Sequence, residues 1–233
     1  MAHAFVDVLG DDIEIGGDDG HHLQRVRRLR VGEFITAADG TGQWRRYELR
    51  VASRGHIAAS ACGPLESEPE LLPRIAVAIS LTKGGLDATA ARLTELGVHR
   101  IEPVHAHHSV VRWDDTRART AVDRLRTVVR EAAAQSRRAR VPEVRAVGDI
   151  ASLAGRPGLV VADRTGVPGS EIPDPPAGEW TLVIGPEGGL SADERVRLAG
   201  PRLAVGPHVL RAETAPIAAC SALIGRARWS DFA

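Results

Sequence analysis

The chain has 233 residues, enough for one large domain or two smaller ones with a real hydrophobic core. Its 30 basic and 30 acidic residues cancel, so global charge neither requires nor excludes a polyanionic partner. Two cysteines as far apart as Cys62 and Cys220 exclude a disulfide framework and a clustered zinc site.

All basic residues except Lys83 are arginine, a bias that suits bidentate phosphate contact and equally suits a GC-rich genome. The N-terminus has no apolar stretch of signal-peptide type, and no run of 18 apolar residues exists. A cytoplasmic protein without a membrane span is the expectation.

Residues 1–62 read as short strands and turns: FVDVL (5–9), EFITAAD (33–39) and RYELRVAS (46–53), with turn signals at Asp39-Gly40 and Thr41-Gly42. Between the first two, residues 19–30 fit a short helix with arginines beside its apolar edge. The composition predicts a small barrel-like β domain. The Pro- and Glu-rich stretch 63–74 reads as a linker.

Strand-like and helical patterns then alternate. IAVAIS (75–80) is an apolar run, and Leu86, Ala90, Leu93 and Leu96 share a helical face that ends at Gly97. VHRIEPVHA (98–106) reads as a strand passing into a loop. The longest helix is predicted from 115 to about 139, with Val122, Leu125, Val129 and Ala132 as its apolar stripe. Three further apolar runs follow at 158–163, 181–185 and 202–206, and a last helix over roughly 217–227. This alternation predicts an α/β domain with a largely parallel sheet, whose ligands bind beyond the carboxyl ends of the strands.

Two glycine-containing loops occupy that kind of position. In TLVIGPEGGLSADE (181–194), no lysine follows the glycines and Glu187 would repel a phosphate, so this is not a phosphate-cradling loop. The spacing is also wrong for a dinucleotide fingerprint, and no GxSxG nucleophile elbow is present. Ser191 and Glu194 form a capping box for the next helix. What remains is a stiff, neutral-to-acidic ledge of backbone, suited to a purine, an amino-acid moiety or a cationic cofactor, or else an ordinary turn into a helix. The second loop, VGPHVLRAETAP (205–216), presents Arg211, Glu213 and Thr214 before a small-residue helix. Arg211 and Glu213 either pair to hold the loop, or Arg211 meets a phosphate or a developing negative charge on a base.

These loops, together with TELGVHRIEP (94–103), REAAAQSRRARVPEV (130–144) and DGHHLQRVRRLRVGE (19–33), closely resemble the bacterial 16S ribosomal RNA uracil-N3 methyltransferases of the SPOUT superfamily. The resemblance spans nearly the whole chain. It implies a PUA-like RNA-binding β barrel over 1–68 and an α/β domain with a trefoil knot over 72–233. It also implies S-adenosylmethionine as methyl donor, a homodimer, and 16S ribosomal RNA of the 30S subunit as partner, with no metal and no membrane. The alternative is a non-catalytic ribosome-assembly factor that keeps the fold.

On this sequence the resemblance places the donor among Ile184, Gly185, Pro186, Glu187, Gly188, Gly189, Val205, Gly206, Leu210, Arg211, Glu213 and Thr214, with the segment 161–164 near it. Arg211, Glu187 and Glu213 are its catalytic candidates. RNA contact falls to His21, His22, Arg25, Arg28, Arg30, Lys83, Arg137, Arg138 and Arg140. Where the family commonly has Arg-Ser or Arg-Cys after the second strand of the α/β domain, this chain has His105-Ala106-His107-His108-Ser109.

Overall fold

The computed structural model describes residues 1–16, 29–53 and 55–227. The chain divides into two compact units, one formed by 1–69 with 133–141 and the other by 70–132 with 142–233.

The first unit is a mixed five-stranded sheet of β1 (Ala2–Phe5), β2 (Asp12–Ile15), β3 (Phe34–Ala38), β4 (Gln43–Ser53) and β5 (His56–Ser67), in the order β1-β3-β4-β5-β2. Only β1 and β3 run parallel. Alternate residues point to one core of Ala2, Ala4, Ile13, Ile15, Ile35, Ala37, Tyr47, Leu49, Ile57 and Ala59. The first strand ends at Phe5, earlier than the apolar run 5–9 suggests, because Val8 is 74% exposed and makes no ladder.

The stretch 63–67 is strand rather than linker. Beyond residue 60 the neighbour of β5 on the β2 side has ended, so the missing N–H of Pro64 leaves no ladder bond unmade. The helix expected over 19–30, and with it His21, His22, Arg25 and Arg28, lies outside the described residues apart from 29–30.

Residues 133–141 belong to this unit although they lie far along the chain, which the sequence boundaries 1–68 and 72–233 do not anticipate. Ala133 and Ala139 pack with Phe5 and Ala38. Glu68 Oε2 accepts the backbone N–H groups of Ala139 and Arg140. The Arg140 guanidinium donates to the Thr41 carbonyl at 2.5 Å and lies across Gly42, where a Cβ would come within 2.4 Å of its Cζ. His3 closes the arrangement: one ring nitrogen is 2.7 Å from Thr36 Oγ1 and the other 3.1 Å from the Arg138 carbonyl.

The second unit is a parallel sheet in the order β12-β10-β11-β6-β7-β8, with β9 also on β7. Its strands are β6 (Arg74–Ser80), β7 (Arg100–His105), β8 (Glu143–Val144), β9 (Gly148–Asp149), β10 (Leu159–Val167), β11 (Glu179–Ile184) and β12 (Arg202–Leu203). β6 and β11 are buried almost end to end, as strands covered on both faces must be. The run 202–206 yields only a two-residue strand, since the chain leaves the sheet into the second loop after Leu203.

The helices are α1 (Leu86–Glu95), α2 (Asp115–Ser136), α3 (Ala192–Arg197) and α4 (Thr214–Ile224). α2 ends before residue 139 because Arg137 takes the left-handed conformation, φ 59°. α4 starts at Thr214, three residues earlier than the pattern suggests, and packs on α1, β6 and β11. No described helix is long and apolar enough to cross a membrane.

A buried ion network ties two strands of this sheet, β7 and β11, across the one between them. Arg100 of β7 pairs with Glu102 at 2.7 Å and with Glu179 of β11 at 2.5 Å. Glu102, only 5% exposed, also takes Arg156 at 2.8 Å. Burial raises the pKa of Glu102, but the hydrogen bonds and charges of Arg156 and Arg100 overcome this and hold it below the usual carboxylate range. Arg100 thus bridges β7 to β11 past the intervening β6.

Burial pushes the His3 imidazole down to about 4, from an ordinary value of 6.5. The unfolded chain therefore binds the proton first, and stability is complete above pH 6.5 and falls as the pH drops toward 4. Chemical denaturation should show the wild type losing about 2 kcal/mol more than a His3→Gln variant between pH 7 and pH 5. An identical pH dependence in both would contradict a buried neutral His3.

Candidate functional site

The carboxyl ends of β10, β11 and β12 open onto a cleft of about 620 Å³, within the range of small-molecule sites. The β11 side is the ledge 185–190. Gly189 N–H bonds the Pro186 carbonyl at 2.8 Å, which closes a tight turn, and Gly189 then takes φ 73°, a conformation that glycine adopts without strain. Leu190 anchors the ledge in the core beside Ala78, Val104, Val161, Val183 and Leu198.

The capping box read from sequence is present, with Glu194 N–H on Ser191 Oγ and Ser191 N–H on Glu194 Oε2. Glu194 does more than cap. Its Oε1 accepts the backbone N–H of His107 at 2.7 Å, so one carboxylate, 8% exposed, joins the loop after β7 to the loop after β11. Burial raises its pKa, and the N–H groups of Ser191 and His107 outweigh that and hold it low.

The two predicted loops meet here. Ile184, Gly185, Pro186, Glu187, Gly189, Val205, Gly206, Leu210 and Arg211 all line the cleft. Gly188, Glu213 and Thr214 do not line it. Gly188 instead backs onto His108, where a Cβ would come within 3.0 Å of the His108 Cβ. Glu213 turns away to Gly85 at the start of α1, its Oε1 2.5 Å from where a Cβ on that glycine would sit. Of the two readings of Arg211, pairing with Glu213 is therefore not what the fold adopts, and Arg211 is exposed at the cleft wall. Glu213 lies beside Gly85 and outside the cleft lining.

Asp163, from the segment 161–164 expected near the donor, lines the cleft, and Thr165 and Arg195, which sequence reasoning missed, complete it. Asp163 Oδ1 accepts both the N–H and the hydroxyl of Thr165, and its Oδ2 takes Arg195 Nη1 at 2.7 Å. Burial raises the Asp163 pKa, yet the Thr165 and Arg195 contacts leave it below the usual carboxylate range. Arg195 Nε reaches the Leu190 carbonyl at 3.3 Å, so this pair braces the β10 turn against the ledge. An acid followed by arginine 32 positions later carries no pattern; only the parallel pairing of β10 and β11 brings them together.

The histidine segment after β7 lies on the far side of the ledge. His105 and His107 line a smaller polar cavity of about 250 Å³ with Arg112, Asp149, Asp193 and Arg197. His108 Nδ1 is 3.0 Å from the Gly189 carbonyl, a contact to the ledge backbone.

The cations predicted for RNA separate into two kinds. Lys83, Arg30 and Arg137 are exposed. Arg138, 12% exposed, faces Glu68, and Arg140 donates to the backbone of residues 41 and 68. Both contribute to holding the segment 133–141 within the first unit.

The family described as RNA methyltransferase domain matches residues 69–224, and that described as RNA methyltransferase PUA domain matches 15–62. The ribosomal RNA small subunit methyltransferase E of Mycobacterium bovis is 35% identical over 246 residues, with 98% of this chain and 94% of that protein covered. Its namesake from Bacillus subtilis is 31% identical, with 96% of each covered. Among solved structures, the ribosomal RNA small subunit methyltransferase E of Neisseria gonorrhoeae bound to S-adenosyl methionine superposes with a TM-score of 0.84 at 28% identity, over 96% of each chain. With a PUA-like unit preceding a parallel α/β methyltransferase unit, the chain belongs to the ribosomal RNA small subunit methyltransferase E family.

Proposed function

We propose that this chain methylates N3 of a uridine in the 16S RNA of the small ribosomal subunit, with S-adenosylmethionine as donor. The observation that carries the reading is the cleft itself: two loops at the carboxyl ends of β11 and β12 converge on one cavity large enough for such a molecule, with Arg211 on its wall. The Neisseria relative, of the same fold, carries S-adenosyl methionine in its crystal structure.

The wall chemistry fits that donor. Ile184, Leu190, Leu203, Val205 and Leu210 offer apolar surface for a purine, and the backbone of 185–189 offers carbonyl and N–H groups at its edge. Glu187 and Asp163 give the cleft carboxylates suited to a cation. Bound there, the donor supplies a methyl group already activated on a sulfonium sulfur.

The chain's own residues then have a defined task. Uracil N3 must lose its imide proton and present its lone pair while negative charge gathers on O2 and O4. Arg211, exposed at the wall and without a carboxylate partner among the described residues, is placed to stabilise that charge. Glu187, on the ledge across the same cavity, holds the donor end rather than the base. The proton leaves to solvent in this scheme; among the described residues, His208 is the histidine that lines the cleft. The homodimer implied by the resemblance belongs to the same proposal, and Val209, 83% exposed on the second loop, supplies an uncovered apolar side chain beside the cleft.

The test is transfer of labelled methyl from S-adenosylmethionine to small subunits that lack the modification. Arg211→Ala should lower kcat by roughly a hundredfold while donor affinity stays within a few fold. Equal loss of both would make Arg211 a support of the cleft, and binding without transfer in the wild type would favour an assembly factor. Glu194→Ala strands the N–H groups of Ser191 and His107 and should cost about 2 kcal/mol in denaturant unfolding, together with weaker donor binding by calorimetry. Unchanged donor affinity in that variant would show that the ledge does not depend on the clamp.

A further inference from the structure

The Asp163–Arg195 pair is built into the cleft wall but is unexplained by the two glycine loops. The other arginines of the cleft, Arg164 and Arg211, have no hydrogen-bond or ion-pair partner among the described residues. Arg195 differs. Its Nη1 is held by Asp163 at 2.7 Å and its Nε by the Leu190 carbonyl at 3.3 Å, which fixes the plane of the guanidinium. Its Nη2 has no partner among the described residues, although the residue lines the cavity and is 49% exposed.

Asp163 is the more deeply set of the two, 9% exposed, and sits where β10 loses its regular pairing with β12. The wall therefore presents a carboxylate and a guanidinium side by side, both held in place before any ligand arrives. A guanidinium with a free N–H edge recognises a carboxylate, and an adjacent carboxylate recognises an ammonium. Together they are the complement of an α-amino acid zwitterion. Neither an RNA phosphate nor a nucleobase carries both charges.

We infer that Asp163 and Arg195 form a subsite for the amino-acid tail of the methyl donor, with Arg195 Nη2 binding its carboxylate and Asp163 facing its ammonium group. This rests on the reading of the cleft as the donor site. It assigns the tail to the β10 side of the cavity and leaves the apolar surfaces of Leu203, Val205 and Leu210 to the purine. Because the pair is preformed, little ordering accompanies binding, and the subsite acts on affinity rather than on the chemical step.

The decisive comparison uses two ligands that differ only in the tail. S-adenosylhomocysteine has it; 5′-methylthioadenosine keeps the adenine, ribose and sulfur and lacks it. Calorimetric titration of the wild type and Arg195→Gln should show binding of S-adenosylhomocysteine weakened about tenfold or more, with methylthioadenosine changed less than twofold. Arg195→Lys, which keeps the charge beside Asp163, should recover part of the preference for the tailed ligand. Equal weakening of both ligands would make Arg195 a brace for the ledge only, and no change in either would remove it from the site; each result overturns the proposal. A wild type that binds neither ligand would overturn the donor reading itself, an outcome distinct from a wild type that binds both while Arg195→Gln does not discriminate. Melting curves of the three proteins show whether each variant is folded when titrated.

Discussion

The carboxylate of Glu194 accepts two backbone N–H groups from different strand ends, Ser191 after β11 and His107 after β7. A buried carboxylate is costly unless its oxygens are satisfied, and here both are. That requirement fixes where the ledge begins relative to the sheet. Leu190 then enters the core, Gly189 turns the chain, and Arg195 on the next turn reaches back to the Leu190 carbonyl. The floor of the cleft is rigid because each of its bonds belongs to a neighbour that is itself packed. A short helix of six residues would not stand alone in water, so its capping contacts and Leu198 in the core hold it.

Arginine is abundant in this chain, and much of it serves the fold. Arg100 and Arg156 neutralise the buried Glu102, and Arg138 and Arg140 hold residues 133–141 in the first unit. Arg195 shapes the cleft. Those left exposed, such as Arg30, Arg137 and Arg211, are the ones free to meet an anion. Among the described residues, the arginines matched to internal acids are the smaller set, and most of the others are exposed.

Strands with continuous apolar runs, such as 75–80 and 181–185, were legible because burial on both faces demands such runs. The capping box and the meeting of two glycine loops were legible for similarly local reasons. Contacts made by distant residues were not. Nothing around Ala133 or Ala139 signals packing with Phe5 and Ala38, and nothing in Asp163 announces Arg195. Composition also misled where a residue's usual preference gave way to position. Pro64 looked like a linker residue, yet the open edge of β5 tolerates it. That Glu213 lies beside Gly85 is likewise visible only in the fold. The step from cleft to uracil chemistry came from family likeness, since glycines and an arginine do not by themselves name a base.

In the proposed reaction this cleft places a methyl group on N3 of uridine in small-subunit ribosomal RNA. Nucleoside analysis by mass spectrometry of 16S RNA, from a strain lacking the protein and from the same strain with it restored, tests that claim most directly. N3-methyluridine is expected to be absent in the first and present in the second. Equal amounts in both, or a restored methyl group on another base or atom, would contradict it.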